Sequence, residues 1–405
     1  MIYILKVKNT ISTLICLFWI NSSSLLAQDS LQTYTVNFFG DTLQISFPHI
    51  PLRLSQDTFD INTVVYFYTR LNQLPYQLAI IEMTSYKNAH SQDDWLFYQL
   101  IRSTAEKISP KATNYQQYTL LKWFLLLKTG YNASISTCGQ KLLLMVQSND
   151  DVYEQPGFIK NNRPFICLNY HDYDYIDFAS EKFREVPVPI EDSLNPFTFK
   201  ITRLPNFNVT DYEVKSFQFD YGETAYKLNV PVTAQVKKIF ANYPIVDYAT
   251  YFNIPISSIT ERSLVTLLKE VVDKLSQKQG VDYLMRFTRH AFQYQTDTKI
   301  FGKEKRLSPE QTLLYDYSDC EDRAALFFFL VKEIYNLPMI VLSYPDHITI
   351  AIHFDKPVGK PLLYKGEVYS VCEATPQRAD LKIGQGIKKL KNVPYEIVYE
   401  YHPAP

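Results

Sequence analysis

The stretch Tyr317-Ser-Asp-Cys-Glu-Asp-Arg-Ala-Ala-Leu-Phe-Phe-Phe-Leu-Val331 decides how the chain is read. Ser318 followed three residues later by Glu321 has the form of a capping box, in which two side chains satisfy the first unpaired N–H groups of a helix. A helix is therefore expected to begin here with Cys320 in its first turn, and to end near Asn336, before Pro338. Its body, Ala324 to Val331, is apolar on every face and calls for burial all round. A thiol so placed is held rigidly at the positive end of the helix dipole, where exposed N–H groups favour thiolate.

A nucleophilic thiol needs a base. Downstream lies His347 in Tyr344-Pro-Asp-His-Ile-Thr-Ile-Ala-Ile352, a strand-like alternation after a turn. His353 alternates onto the same strand face and is an alternative base. Further on, after the strand-like run Glu367 to Val371, Glu373 stands in Cys372-Glu-Ala-Thr-Pro376, able to orient an imidazole as the third member of a triad.

Asp319-Cys-Glu-Asp-Arg-Ala-Ala-Leu326, Tyr-Pro-Asp-His347 and Glu373-Ala-Thr375, taken together, resemble the transglutaminase-like superfamily of papain-like thiol enzymes over roughly residues 263 to 385. The resemblance implies Cys320 as nucleophile toward a carboxamide or peptide carbonyl, His347 as proton relay and Glu373 as orienting carboxylate. The family's third motif is usually Asp-Pro-Thr, so Glu and Ala stand in this chain for Asp and Pro. The family also uses an upstream side chain for the oxyanion, a role for which Tyr294 is the candidate. The implied partner is a peptide, protein or peptidoglycan-type amide, and whether water or an amine resolves the thioester is open.

The region upstream of this unit repeats its pattern. Trp123 to Asn132 lies over Phe327 to Asn336, and Leu142 to Val146 over Asp346 to Ile350. With one further residue of shift, Phe165-Ile-Cys-Leu168 lies over Ser370-Val-Cys-Glu373. The first copy then offers Gln116 for Cys320, Leu143 for His347, and Leu168 or Asn169 near Glu373, so it lacks every reactive group. The expected fold is α+β: a signal peptide at 1–27, a degenerate transglutaminase-like unit at 28–186, a small β domain at 187–262 and an intact unit at 263–405. Within these, a hairpin is expected at Thr33 to Phe47, and helices at Asp94 to Ile108, Tyr118 to Lys128, Ser263 to Leu275 and Asp282 to Phe292.

The leader reading rests on Lys6 and Lys8 before the apolar stretch Ile11 to Ile20 and on Ala27 as the cut site, and it implies export to a periplasmic or extracellular space. About ten apolar residues are too few to cross a bilayer core, which needs about 20, and no later segment reads as a span. Cys138, Cys167, Cys320 and Cys372 would remain, with no CxxC pair; their disulfide state is open. Neither a cofactor nor a metal is expected: no glycine-rich phosphate motif occurs, and His171, Asp172 and Asp174 read as a solvated loop. With 41 basic against 42 acidic residues the chain lacks the positive field of a nucleic-acid binder. A noncatalytic binding or scaffold protein on the same fold is the competing class, in view of the degenerate first copy and the many Tyr and Phe.

Overall fold

The first element is a hairpin, Leu31–Phe38 with Asp41–Pro48, turned by Phe39 and Gly40 at φ 44° and 103°. A two-residue hairpin turn with both φ positive suits glycine, and a Cβ on Gly40 would stand 3.1 Å from the Asn206 carbonyl oxygen. The computed structural model describes residues 31–50, 54, 60–173, 176, 182–188, 194–302 and 304–403. The leader at 1–27 and Asp174 lie outside the described residues.

Val36, Phe38, Ile45 and Phe47 alternate inward from the hairpin onto the helices Gln77–Ala89 and Asp94–Ile108. The helix Ile61–Gln73, capped by Asp60, packs on the next one, Tyr115–Lys128, whose side chains are buried from Gln117 to Leu127. A five-stranded antiparallel sheet follows, in the order Gly157–Lys160, Arg163–Cys167, Lys141–Gln147, Ala133–Cys138, Phe183–Glu185.

The second half runs through the same order. A hairpin, Tyr212–Tyr221 with Thr224–Thr233, lies on the helices Ser258–Val272 and Gln277–His290. The buried helix Cys320–Tyr335 then leads into a second five-stranded antiparallel sheet. Its order is Leu362–Tyr364, Glu367–Cys372, His347–His353, Met339–Tyr344, Glu396–Tyr401. In each sheet the strand just after the helix pairs with the next strand and with the last, so the two sheets have one strand order. The chain is α+β, as its patterning required.

The β character expected over 187–262 is carried by that one hairpin and a two-residue strand, Ile245–Val246, paired antiparallel with Val152–Tyr153. Residues 195 to 199 run as a strap, bonding through single bridges from Asn195 to Tyr131 and from Phe197 to Ser148. The helices Gln235–Phe240 and Tyr248–Phe252 fill the rest, and the helix expected from Ser263 starts at Ser258. The buried Phe197, Phe199, Ile201, Phe217, Leu228 and Val232 belong to the same continuous core as both sheets, so this stretch has no separate interior. The helix expected from Asp282 begins at Gln277, where Ser276 and Gln279 form a capping box. Among the described residues no helix is long and apolar enough to cross a membrane.

Candidate functional site at Cys320, His347 and Glu373

The helix bearing Cys320 is capped one residue later than the sequence implied. Asp319 accepts hydrogen bonds from the N–H groups of Glu321 and Asp322 at 3.0 and 3.3 Å, and Asp322 accepts from Asp319 N–H at 3.3 Å. Asp322, fully buried, also accepts from Leu307 N–H at 2.9 Å. Glu321 serves elsewhere, accepting from Tyr248 Oη at 3.0 Å and Arg306 Nε at 2.9 Å. Ser318 is buried and pairs across a short parallel ladder with Tyr294. Asn336, in the left-handed region at φ 49°, ends the helix where expected.

Arg323 anchors this helix start. Fully buried, it donates to the carbonyl oxygens of Thr288, Arg289 and Phe292 at 3.1, 2.7 and 3.0 Å, joining the first turn to the last turn of Gln277–His290 and the bend beyond it. Burial lowers its pKa to about 10. The sequence signal for this role is a cation in the first turn, directly before the apolar run Ala324 to Val331, a pattern that calls for buried acceptors but does not say where they come from.

His347 and Glu373 meet directly. His347 Nε2 and Glu373 Oε2 are 2.9 Å apart, with the side chains 8% and 1% exposed. A carboxylate acceptor makes Nε2 the protonated nitrogen of a neutral ring and leaves Nδ1 to take a proton. Glu373 Oε1 accepts from Thr375 N–H at 2.8 Å, which fixes the carboxylate plane. Arg289, 2% exposed, donates to the Glu373 backbone carbonyl and pairs with Asp380 at 2.8 Å. Neither Arg289 nor Asp380 carries a readable sequence signal, since they meet only through the fold. His353, the alternative base, sits at the far end of its strand with Nδ1 3.1 Å from the Val368 carbonyl oxygen.

Cys320 is partly exposed, and the N–H of Ile348, the residue after His347, reaches toward its sulfur. Among the described residues Sγ makes no hydrogen bond to His347. The helix dipole does not decide the thiol's acidity: burial first, and then Asp319, Glu321 and Glu373, push its pKa up to about 12. Tyr294 stands beside it, half-exposed, with its ring 5.9 Å from the Arg323 guanidinium carbon. Its hydroxyl pKa is raised by burial and then by Cys320 and Asp319. Tyr317, exposed, lies on the same short ladder, and Tyr344, cross-strand from His347, packs against the exposed Tyr395 at 5.4 Å.

Acidic groups crowd the thiol's flank. Asp297, Glu304 and Asp319 place carboxylate oxygens within 4.8 Å of one another, and these described residues are the ones able to converge on a cation. Burial and the neighbouring Asp319 push Asp297 up to about 8, and burial with Glu321 raises Asp319 to about 6. In the first half His171 Nε2 lies 3.2 Å from Asp172 Oδ1, which also takes the Lys111 ammonium at 2.6 Å. Among the described residues no disulfide joins Cys138, Cys167, Cys320 and Cys372.

Laid strand on strand, the two sheets place Lys141, not Leu143, at the start of the strand where His347 stands. Cap on cap, Asn114 and Asp319 bring Tyr115, not Gln116, to the position of Cys320. Asn169, one of the two residues expected near Glu373, follows its strand as Glu373 does, and donates to Tyr115 Oη at 2.7 Å. The shifts arise because the loops and helix caps differ in length, which a fixed sequence offset cannot follow. No protein-family model matches the chain, and no curated protein matches it in sequence.

Proposed function

We propose that the protein is an exported thiol-dependent amide hydrolase or acyltransferase of the transglutaminase-like, papain-like kind, using Cys320, His347 and Glu373. The observation that carries this reading is the buried His347–Glu373 pair, 2.9 Å apart, at the strand end adjoining a helix-borne thiol. Because the thiol is held well above neutrality, His347 acts as a general base rather than as one half of a standing ion pair. Nδ1 takes the Sγ proton as sulfur attacks the amide carbon. The proton passes to the departing amine, and water or a second amine resolves the thioester. In this reading Tyr294, whose hydroxyl feels the charge of Cys320, donates to the developing oxyanion. The exposed tyrosines around Cys320 accord with a peptide, protein or peptidoglycan-type amide lying across an open surface.

The matching order of hairpin, helices, buried helix and sheet supports an internal duplication. The hairpin Tyr212–Tyr221/Thr224–Thr233 then belongs to the second copy, as Leu31–Phe38/Asp41–Pro48 belongs to the first, degenerate one.

A second reading, a noncatalytic binding or scaffold protein, is favoured by the raised thiol pKa and by the lack of a hydrogen bond between Cys320 and His347. Iodoacetamide labelling separates the two, combined with a screen for amine incorporation and peptide hydrolysis. The enzyme reading expects Cys320 to label at neutral pH at a rate that His347→Ala lowers, and an activity that Cys320→Ala abolishes. Activity surviving Cys320→Ala rejects the mechanism, and an inert Cys320 without activity selects the binding protein.

A further inference from the structure

A cavity of about 750 Å³ opens in the N-terminal half, away from Cys320, within the range of about 300–1,000 Å³ typical of ligand sites. Its walls come from the tip of the first hairpin, the helix Asp94–Ile108, the start of Tyr115–Lys128, and the short helix Gln235–Phe240. It lies over Tyr115, the residue in the first turn of the buried helix, so the floor that carries a thiol in the second half carries a phenol here. That phenol accepts from Asn169 and donates to Asp172 Oδ2 at 2.9 Å, which turns its polar end into the protein and leaves the ring as wall.

Of the charges lining this cavity, two cations, Arg102 and Lys238, and one carboxylate, Glu106, make no ion pair among the described residues. Glu106 is engaged by the backbone N–H of Lys111 at 2.9 Å, and the Lys111 ammonium by Asp172. Arg102 makes no ion pair among the described residues: Nη1 donates to Gln99 Oε1 at 3.0 Å, and Nη2 to the Asn242 amide oxygen at 3.1 Å. Lys238 is exposed on the rim and also makes none. Gln99 is 6% exposed, and its Nε2 has no acceptor among the described residues. A buried amide donor left unpaired is costly unless something arrives to accept from it. Beside it an unneutralised guanidinium favours an anionic acceptor with planar geometry.

We infer that this cavity binds the carboxylate end of a peptide whose last side chain is aromatic. Arg102 and Lys238 hold the carboxylate, Gln99 Nε2 donates to it or to the adjoining carbonyl, and the rings of Phe39, Tyr115 and Tyr118 take the side chain. The side-chain oxygen of Gln235, whose Nε2 donates to Asp211 at 3.1 Å, accepts no hydrogen bond among the described residues and can take a peptide N–H. An amide donor and an amide acceptor on opposite walls match a peptide group better than they match a sugar ring.

The test is calorimetric titration of the full chain with acetyl-Ala-Tyr bearing a free carboxylate, with its C-terminal amide, and with glucuronic acid. The acid is expected to bind, and the amide to bind at least about 10-fold more weakly, since it loses the charge that Arg102 and Lys238 both hold. Lys238→Glu, an exposed change that leaves the core untouched, should weaken the acid by about 10-fold or more and leave the amide unchanged. Cys320→Ala should bind the acid as the unchanged protein does, which separates this site from the chemistry proposed at Cys320. Equal binding of acid and amide overturns the inference. So does no binding of either up to about 10 mM, an affinity too weak to be specific, or binding of the acid that Lys238→Glu leaves intact. Binding of glucuronic acid with the peptide silent overturns it in favour of an acidic sugar.

Discussion

Removing Arg323 tests the scaffold of the site without any knowledge of substrate. Arg323→Met keeps an unbranched stem but strips four hydrogen bonds, a long one to the Ser318 carbonyl at 3.5 Å and three that leave the carbonyls of Thr288, Arg289 and Phe292 buried without a donor. At about 1–3 kcal/mol for each orphaned group the loss would be about 3–9 kcal/mol. The guanidinium's own burial offsets part of it, because that desolvation penalty of several kcal/mol disappears with the charge. A net destabilisation of about 3–5 kcal/mol is expected, the usual range for removing one member of a buried charged network. Arg323→Lys, with donors on a single nitrogen, reaches fewer of the three carbonyls and should fall between. Urea denaturation at unchanged m-value measures both. Iodoacetamide reports the local effect, since a frayed first turn exposes Cys320 and speeds its labelling in Arg323→Met. A cost below about 1 kcal/mol, within the reach of an ordinary surface change, together with unchanged labelling, would refute the anchoring role.

Three further outcomes are expected. Glu373→Gln keeps a hydrogen-bonding oxygen and loses the charge, so any amidase or amine-incorporation rate should fall by about 10-fold to 10⁴-fold, less than in His347→Ala; equal rates in Glu373→Gln and wild type would reassign the orienting group. Asp297 is held near 8 in the fold but ionises near 4 in an unfolded chain, so the folded state binds the extra proton and stability falls as pH rises from about 4 to about 8. Asp297→Asn should therefore melt higher than wild type at about pH 8.5 and differ little at about pH 4; a wild-type margin that grows with pH in differential scanning calorimetry would contradict this. A Cβ on Gly280 would run into Tyr335 Oη and stand 3.2 Å from Val272 Cβ, so Gly280→Ala should destabilise by about 1–3 kcal/mol in urea and Tyr335→Phe should restore part of the loss; a neutral Gly280→Ala would show that the two helices can part freely.

The reach of the sequence differs from element to element, for physical reasons. The helix after Cys320 is legible because eight consecutive buried side chains, Ala324 to Val331, form an unbroken apolar run, and because Asn336 and Pro338 punctuate its end. The pairing of His347 with Glu373 is reachable because both sit at strand ends in a fixed order. The cap falls one residue from its expected place: Ser318-Asp-Cys-Glu and Asp319-Cys-Glu-Asp both satisfy the capping pattern, and only contacts with Leu307 and with the carbonyls held by Arg323, distant in sequence, decide between them. The thiol's acidity departs from expectation for a related reason, because dipole and N–H groups are local while burial and the carboxylates of Asp319, Glu321 and Glu373 are partly tertiary. The 187–262 stretch reads as a domain because Pro and Asn punctuate it, yet its apolar residues face inward to a shared core that no local window contains.

That shared core sets the order in which the polypeptide can become native as it is made. Trp95 Nε1, buried in the first half, donates to the carbonyl oxygen of Ile239, and Tyr243 Oη donates to that of Phe199. The strap at Phe197 closes on Gln147, and Thr198 and Phe199 satisfy the carboxylates of Asp94 and Asp150. The N-terminal hairpin, helices and sheet therefore remain incomplete until the chain has been synthesised past Tyr243, well into the second half. Contacts this far apart in sequence make for slow, late consolidation rather than folding unit by unit. A chain interrupted near residue 190 would leave Trp95 and Tyr98 without the rings of Phe199 and Phe197 and the Gln147 carbonyl without its donor, and would be held by chaperones or cut by proteases, not stored as a stable half-molecule.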